Sequence, residues 1–164
     1  MDRFADGMVA RGPTTTDDGE TLTGSVHVLD LPGPAAARAF AFDEPNYQAG
    51  AYRDVLLRRW RDLLGRTMWE YHGGPEGGPR FLALGLGLGW RGSGEPLVTA
   101  GAGAGLVAAG HLLSDDGAAV LGAAALVEAP APADARRVLV VDDYAEVEVH
   151  DWHVGGRPVA RDDG

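Results

Sequence analysis

The sequence predicts an α+β protein in which one β-rich module is used twice. A gap-free internal repeat, polar turn signals between β-branched runs, and proline-led alanine-rich stretches carry that prediction. Met8–Arg38 aligns on Leu106–Arg136 at a constant offset of 98, with 12 identities in 31 positions. The anchors are Met8–Gly12 against Leu106–Gly110, Asp17–Gly19 against Asp115–Gly117, and Gly24 against Gly122. Pro32, Pro34 and Arg38 match Pro130, Pro132 and Arg136 in the same way. Beyond Arg38 the second copy is shorter, because Trp60 matches Trp152 at an offset of 92. Self-similarity at a fixed period marks a repeated structural unit.

Each copy reads alike. Met8–Arg11 is a short strand running into the Thr15–Gly19 turn, whose Asp and Gly favour reversal. Thr23–Leu31 is the next strand, apolar and partly β-branched. Pro34 suits a helix's first turn, and Ala35–Phe42 continues as helix. Tyr52–Trp60 closes the copy, giving β-β-α-β. The second copy adds a strand at Arg80–Leu88 and a glycine-weakened helix at Glu95–Gly105. Its order is therefore β-α-β-β-α-β, the ferredoxin-like split arrangement. Subtracting the offset, 80 − 98 = −18, puts the first copy's opening strand ahead of Met1. Of its first helix there remains Asp2–Asp6, with Phe4 and Met8 at helical spacing. The expectation is a native start further upstream; the alternative is a module completed by a partner chain.

The domain plan is 1–71 for the incomplete first module, a linker at 72–79, and 80–164 for the second. The linker, His72–Pro79, is almost entirely Gly and Pro. Just ahead of it, Leu63–Tyr71 is an apolar and aromatic extension expected to pack across the module interface.

Gly12–Pro13, Thr23–Ser25 and the segment Glu44–Val55 closing on Trp60 resemble the YciI family, the YCII-related domain. The resemblance covers nearly all of Gly12–Trp60; the second copy keeps Asp142–Tyr144, Gly122 and Trp152. It implies a dimeric α/β barrel of two face-to-face sheets, which a tandem chain would build internally as a pseudo-dimer. It also implies an acid–base dyad of a first-helix His and an Asp. Here Glu95–Gly105 contains no His, and the Asp position is Glu44, one methylene longer.

A formal charge of −10 argues against nucleic acid, since phosphate recognition needs a basic face. Arg58–Arg61 is too short to reverse that. With no cysteine, disulfides, thiolate catalysis and Cys-ligated metals are excluded. No apolar run reaches the ~18 residues of a membrane span, and the start has no apolar leader core. A cytoplasmic location is the expectation. Gly85, Gly87 and Gly89 lack the spacing of a dinucleotide fingerprint, so no cofactor is expected. His150 and His153 lie three apart on a strand and face opposite ways, so no metal site is expected and both read as surface residues. His111 reads as part of the turn with Asp115 and Asp116.

Ser25 and His27 share one strand face, and their counterparts are Ala123 and Ala125. Val26 and Val28 are expected under the helix, which leaves Ser25 and His27 on the open face. His27 is then the acid–base candidate, because imidazole titrates near neutral pH. Glu44 would orient or charge-pair it, and Ser25, Tyr47 and Tyr52 would contact a ligand. Three functions remain open. They are acid–base lyase or isomerase chemistry on a cyclic oxygenated compound, a catalytically silent ligand-binding or accessory protein, and a structural or oligomerisation module. The expected partners are a small-molecule ligand and, by homodimerisation, a second copy.

Overall fold

The computed structural model describes residues 8–16, 18–31, 33–43, 56–65, 67–71, 78–88, 105–139 and 144–155. The elements are β1 (Met8–Thr15), β2 (Leu22–Leu29), α1 (Pro34–Asp43), β3 (Arg59–Asp62), a 3₁₀ turn (Met68–Glu70), β4 (Arg80–Leu88), β5 (Gly105–Leu113), β6 (Val120–Glu128), α2 (Pro132–Arg136) and β7 (Tyr144–Trp152). Among the described residues the strands form one seven-stranded sheet in the order β2-β1-β7-β4-β6-β5-β3. Every pairing in it is antiparallel.

Both reversals of the repeat take the same form. Between β1 and β2 the Thr16 amide donates to the Thr21 carbonyl, and the Asp18 carboxylate accepts from the Thr16 hydroxyl and the Glu20 amide. Between β5 and β6 the Ser114 amide donates to Ala119, and Asp116 accepts from the Ser114 hydroxyl and the Ala118 amide. Each turn ends on a glycine with φ of +74°, Gly19 and Gly117, a left-handed conformation that side chains disfavour.

Side-chain alternation divides the sheet into two apolar faces. On one lie Ala10, Val26, Val28, Trp60, Leu82, Leu84, Leu86, Ala108, Leu112, Ala124, Leu126 and Trp152, with Met68 packed among them. Val28 comes from one end of the strand order and Trp60 from the other, so the sheet curls around this face, nearly as a barrel. On the opposite face, Phe81, Ala123, Ala125 and Val127 pack with Ala135, Val138 and Leu139 of α2 and the residues after it.

Two expectations need correction, and a third falls almost wholly outside the described residues. The strand expected at Tyr52–Trp60 is formed at Arg59–Asp62, while 56–58 are not strand and 51–55 lie outside the described residues. The first strand runs on through Gly12–Pro13 to Thr15 rather than stopping at Arg11, because β2 pairs with it that far. The helix expected at Glu95–Gly105 falls outside the described residues except for Gly105, which opens β5.

The extension after β3 bridges distant strands. Met68 is 4% exposed, and its sulfur accepts the Arg11 amide of β1 at 3.2 Å. Tyr71 lies against Gly105 of β5, where an added β-carbon would come within 2.0 Å of the phenol oxygen. The Arg80 guanidinium sits 6.0 Å from the centre of the same ring.

Candidate functional site

The sequence-derived site divides on inspection. Within β2, Ser25 stands opposite Pro13 and His27 opposite Arg11. The His27 ring meets Phe40 of α1 edge-on, with centroids 5.4 Å apart at 65°. His27 therefore faces the helix, and Val26 and Val28 join the inner core, the reverse of the expected assignment. Alternation makes two faces but does not say which one the helix covers. The counterparts Ala123 and Ala125 agree with the observed placement, both fully buried on the face that α2 covers. Glu44, Tyr47 and Tyr52 lie outside the described residues.

A different set of polar groups lies on the inner face. Direct cross-strand partners share a face, and Leu86, Leu84 and Leu82 of β4 stand opposite Glu146, Glu148 and His150 of β7. Those leucines pack against the inner core, so β7 turns Glu146, Glu148, His150 and Trp152 toward it and Val147 and Val149 away. His150 Nε2 lies 3.9 Å from Glu148 Oε2, and both side chains keep more than a third of their surface in solvent. Such a pair can hold a proton and still exchange it with a ligand. The spacing-two alternation of Glu146, Glu148 and His150 is visible in the sequence, but spacing alone reads His150 as a surface residue and does not place it on the inner face. His153 has its own partner, the Thr15 hydroxyl at 3.2 Å.

At one end of this face an open cleft of about 460 Å³ is lined by Leu56, Arg58, Leu86, Leu112 and Leu121, among others. Among the described residues that line it, Arg58 is the one charged group. Leu86 directly faces Glu146, and Glu148 follows ~7 Å further along β7 at strand spacing. An apolar wall with one guanidinium suits a small molecule with an apolar body and an anionic group.

His111 occupies neither site. It lies within β5 opposite Arg61 of β3, not in the adjoining turn as the sequence suggested. The Arg61 guanidinium approaches its Nδ1 at 3.1 Å. A guanidinium only donates, so Nδ1 accepts and the ring proton sits on Nε2. That Nε2 is buried with no hydrogen-bond partner among the described residues. Burial, then the Arg61 charge, lowers the His111 pKa.

Among the described residues, no three His, Asp or Glu side chains gather as metal ligands. No helix there is long and apolar enough to cross a membrane. Comparison with known proteins finds that residues 3–61 match the family model of the YCII-related domain. No curated protein and no solved structure matches the chain.

Proposed function

We propose, from the match of residues 3–61 to the family model of the YCII-related domain, that this chain is a YciI-like small-molecule protein built as a pseudo-dimeric barrel of two ferredoxin-like halves. Its ligand, an apolar molecule with an anionic oxygen group, lies in the cleft at Arg58 and reaches along β7. Glu148 and His150 then supply acid–base chemistry of the elimination or isomerisation kind. The observation carrying this reading is the row Glu146, Glu148, His150 on an inner sheet face that is otherwise largely apolar.

Two features support the two-half barrel. The strand run β7-β4-β6-β5 is the order a ferredoxin-like module adopts, with its first strand central. β1 and β3 of the first half pair with β7 and β5 of the second, and by the repeat β5 is the equivalent of β1 and β7 that of β3.

Geometrically, Arg58 can fix the anionic group. His150 can take a proton from carbon or oxygen, and Glu148 can steady the imidazolium that results. In the silent-binder alternative the same cleft binds without turnover. The test is a thermal-shift screen of small carboxylates and enolisable ketones on the full chain. A ligand at 100 times its Kd adds ~2.7 kcal/mol of stability, roughly 5–10 °C for a chain of this size. The shift should vanish in Arg58→Ala and persist in His150→Gln, with any turnover lost in the latter. Loss of the shift in His27→Ala, with Arg58→Ala unaffected, would move the site to His27 and its companions Ser25, Glu44, Tyr47 and Tyr52.

A further inference from the structure

The residues lining the Arg58 cleft have counterparts at the other seam of the sheet. Trp60 pairs with Leu112 and Trp152 with Thr14, so the offsets of 92 and 98 hold together at both seams. Carried across by these offsets, Leu56, Arg58, Leu112, Val120 and Leu121 become Glu148, His150, Thr14, Leu22 and Thr23. An apolar wall with one fixed cation is thereby replaced by hydroxyl, imidazole and carboxylate groups. Thr14 stands directly opposite Trp152 of the inner core, and its Oγ1 would lie 3.2 Å from a β-carbon on Gly24. His150 is the same-face neighbour of Trp152 two residues along β7, which makes Thr14 and His150 diagonal neighbours ~7–8 Å apart. The Thr23 hydroxyl donates to Thr14 Oγ1 at 2.9 Å, and His150 Nε2 lies 3.9 Å from Glu148 Oε2. Thr14 is buried, whereas Leu22 is 72% exposed and the His150 and Glu148 side chains keep 39% and 37% of their surface in solvent. The group has a buried floor and a rim open to solvent.

We propose that Thr14, Thr23 and His150 bind hydroxyl groups of the ligand, so that the end reaching β7 is a neutral polyhydroxylated group of the polyol or sugar class. This rests on the two-half barrel and on the acid–base reading of Glu148 and His150, and it assigns the end of the ligand remote from Arg58. Threonine hydroxyls and a neutral imidazole each both donate and accept, which is what a ligand hydroxyl offers in return. Glu148 stands where the Arg58 cleft has Leu56. As a carboxylate it only accepts, and it repels a second anionic group. The two clefts therefore sort the ends of the ligand by charge, anionic at Arg58 and neutral at His150. Glu146 lies opposite the cleft residue Leu86, and His150 follows four residues further along β7. At strand spacing the two ends are about 13 Å apart, which calls for an elongated molecule. Two threonine hydroxyls fixed on paired strands also give the site a means of telling one hydroxyl configuration from another.

The probes are xylitol and methyl β-D-glucopyranoside, each titrated into the full chain while the imidazole C–H resonances are followed by NMR. The His150 signal is assigned from its absence in His150→Gln. It should shift saturably with at least one of the two probes, and 1-propanol should leave it unmoved. Affinity should fall about tenfold or more in Thr14→Val, which removes the hydroxyl at nearly constant volume, and in Thr23→Val at the exposed rim. Thr14→Ser should restore most of it. The proposal is overturned if neither probe moves the His150 signal, or if 1-propanol moves it equally well. It is also overturned if the folded valine variants titrate as the natural chain does; should Thr14→Val not fold, Thr23→Val decides alone. A silent His150 with the carboxylate-dependent thermal shift at Arg58 intact would reject the hydroxyl subsite and leave the anion cleft standing. Loss of both responses would reject the two together.

Discussion

The indole of Trp60 lies directly over Gly110: a β-carbon on that glycine would come within 2.3 Å of ring atom Cε2. Trp60 belongs to β3 and Gly110 to β5, and Trp60 pairs in register with the neighbouring Leu112. The same contact recurs at the other seam, where a β-carbon on Gly12 would sit 2.6 Å from Trp152 Nε1 and 1.9 Å from the His153 carbonyl oxygen. Gly12 and Gly110 are repeat equivalents, as are Trp60 and Trp152. Both indole N–H groups are buried and lack a hydrogen-bond partner among the described residues. Close packing is therefore retained at the cost of two unsatisfied donors.

Either glycine to alanine should overpack its seam and lower stability by about 1–3 kcal/mol. Denaturant titration of Gly12→Ala, Gly110→Ala and the double variant checks this. The Trp60–Gly110 seam should be partly rescued by Trp60→Leu in the Gly110→Ala background, giving a non-additive cycle. Additive losses would mean that the indole is not what the new methyl group meets.

Stability should fall as the solution is acidified through the histidine range. His111 has its pKa lowered from 6.5 by burial and by Arg61. In the unfolded chain it binds its proton more readily, so the unfolded state carries more protons below 6.5 and acid favours it. The stabilisation is complete above 6.5 and declines as pH drops toward the folded-state value. Urea midpoints measured from pH 7.5 to 5 should decline more steeply for the natural chain than for His111→Gln.

Met68 should be a strong stabilising contact despite lying in a three-residue 3₁₀ turn. It is buried in the inner core and accepts the Arg11 amide. Truncation in Met68→Ala should cost about 2–5 kcal/mol. Met68→Leu keeps the volume, loses the sulfur acceptor, and should cost less than about 1.5 kcal/mol. Thermal unfolding of the two variants separates packing from the sulfur contact.

Gly19 and Gly117 hold the same left-handed turn position. Alanine at either should cost about 1–2 kcal/mol through backbone strain, since nothing lies within 4 Å of the new methyl at Gly19. The two losses should add in the double variant, because the turns share no hydrogen-bond partner. Tm values of the three variants test both statements.

Much of the fold was legible because its determinants are local. The Asp-Gly turns, the Pro34 and Pro132 helix starts and the β-branched or alternating strands depend on neighbours a few residues away, and the internal repeat cross-checks them. β4 fell at Arg80–Leu88 as expected, and α1 extended one residue beyond each end of its expected span. The candidate site was less legible. Glu148 and His150 could be read as alternating neighbours, but their significance depends on Leu84 and Leu82, more than sixty residues earlier in the chain, lying opposite them.

By itself the sequence determined the turns, the helix starts and the alternation of the strands, since spacing and short-range backbone preference specify them. The tertiary structure alone decided which sheet face became the interior, placing Val26 and Val28 inside and His27 against Phe40. It also decided which strands met at the seams, so that Trp60 found Gly110 and Trp152 found Gly12. A strand's alternation is symmetric between its two faces, and only burial against distant partners breaks that symmetry.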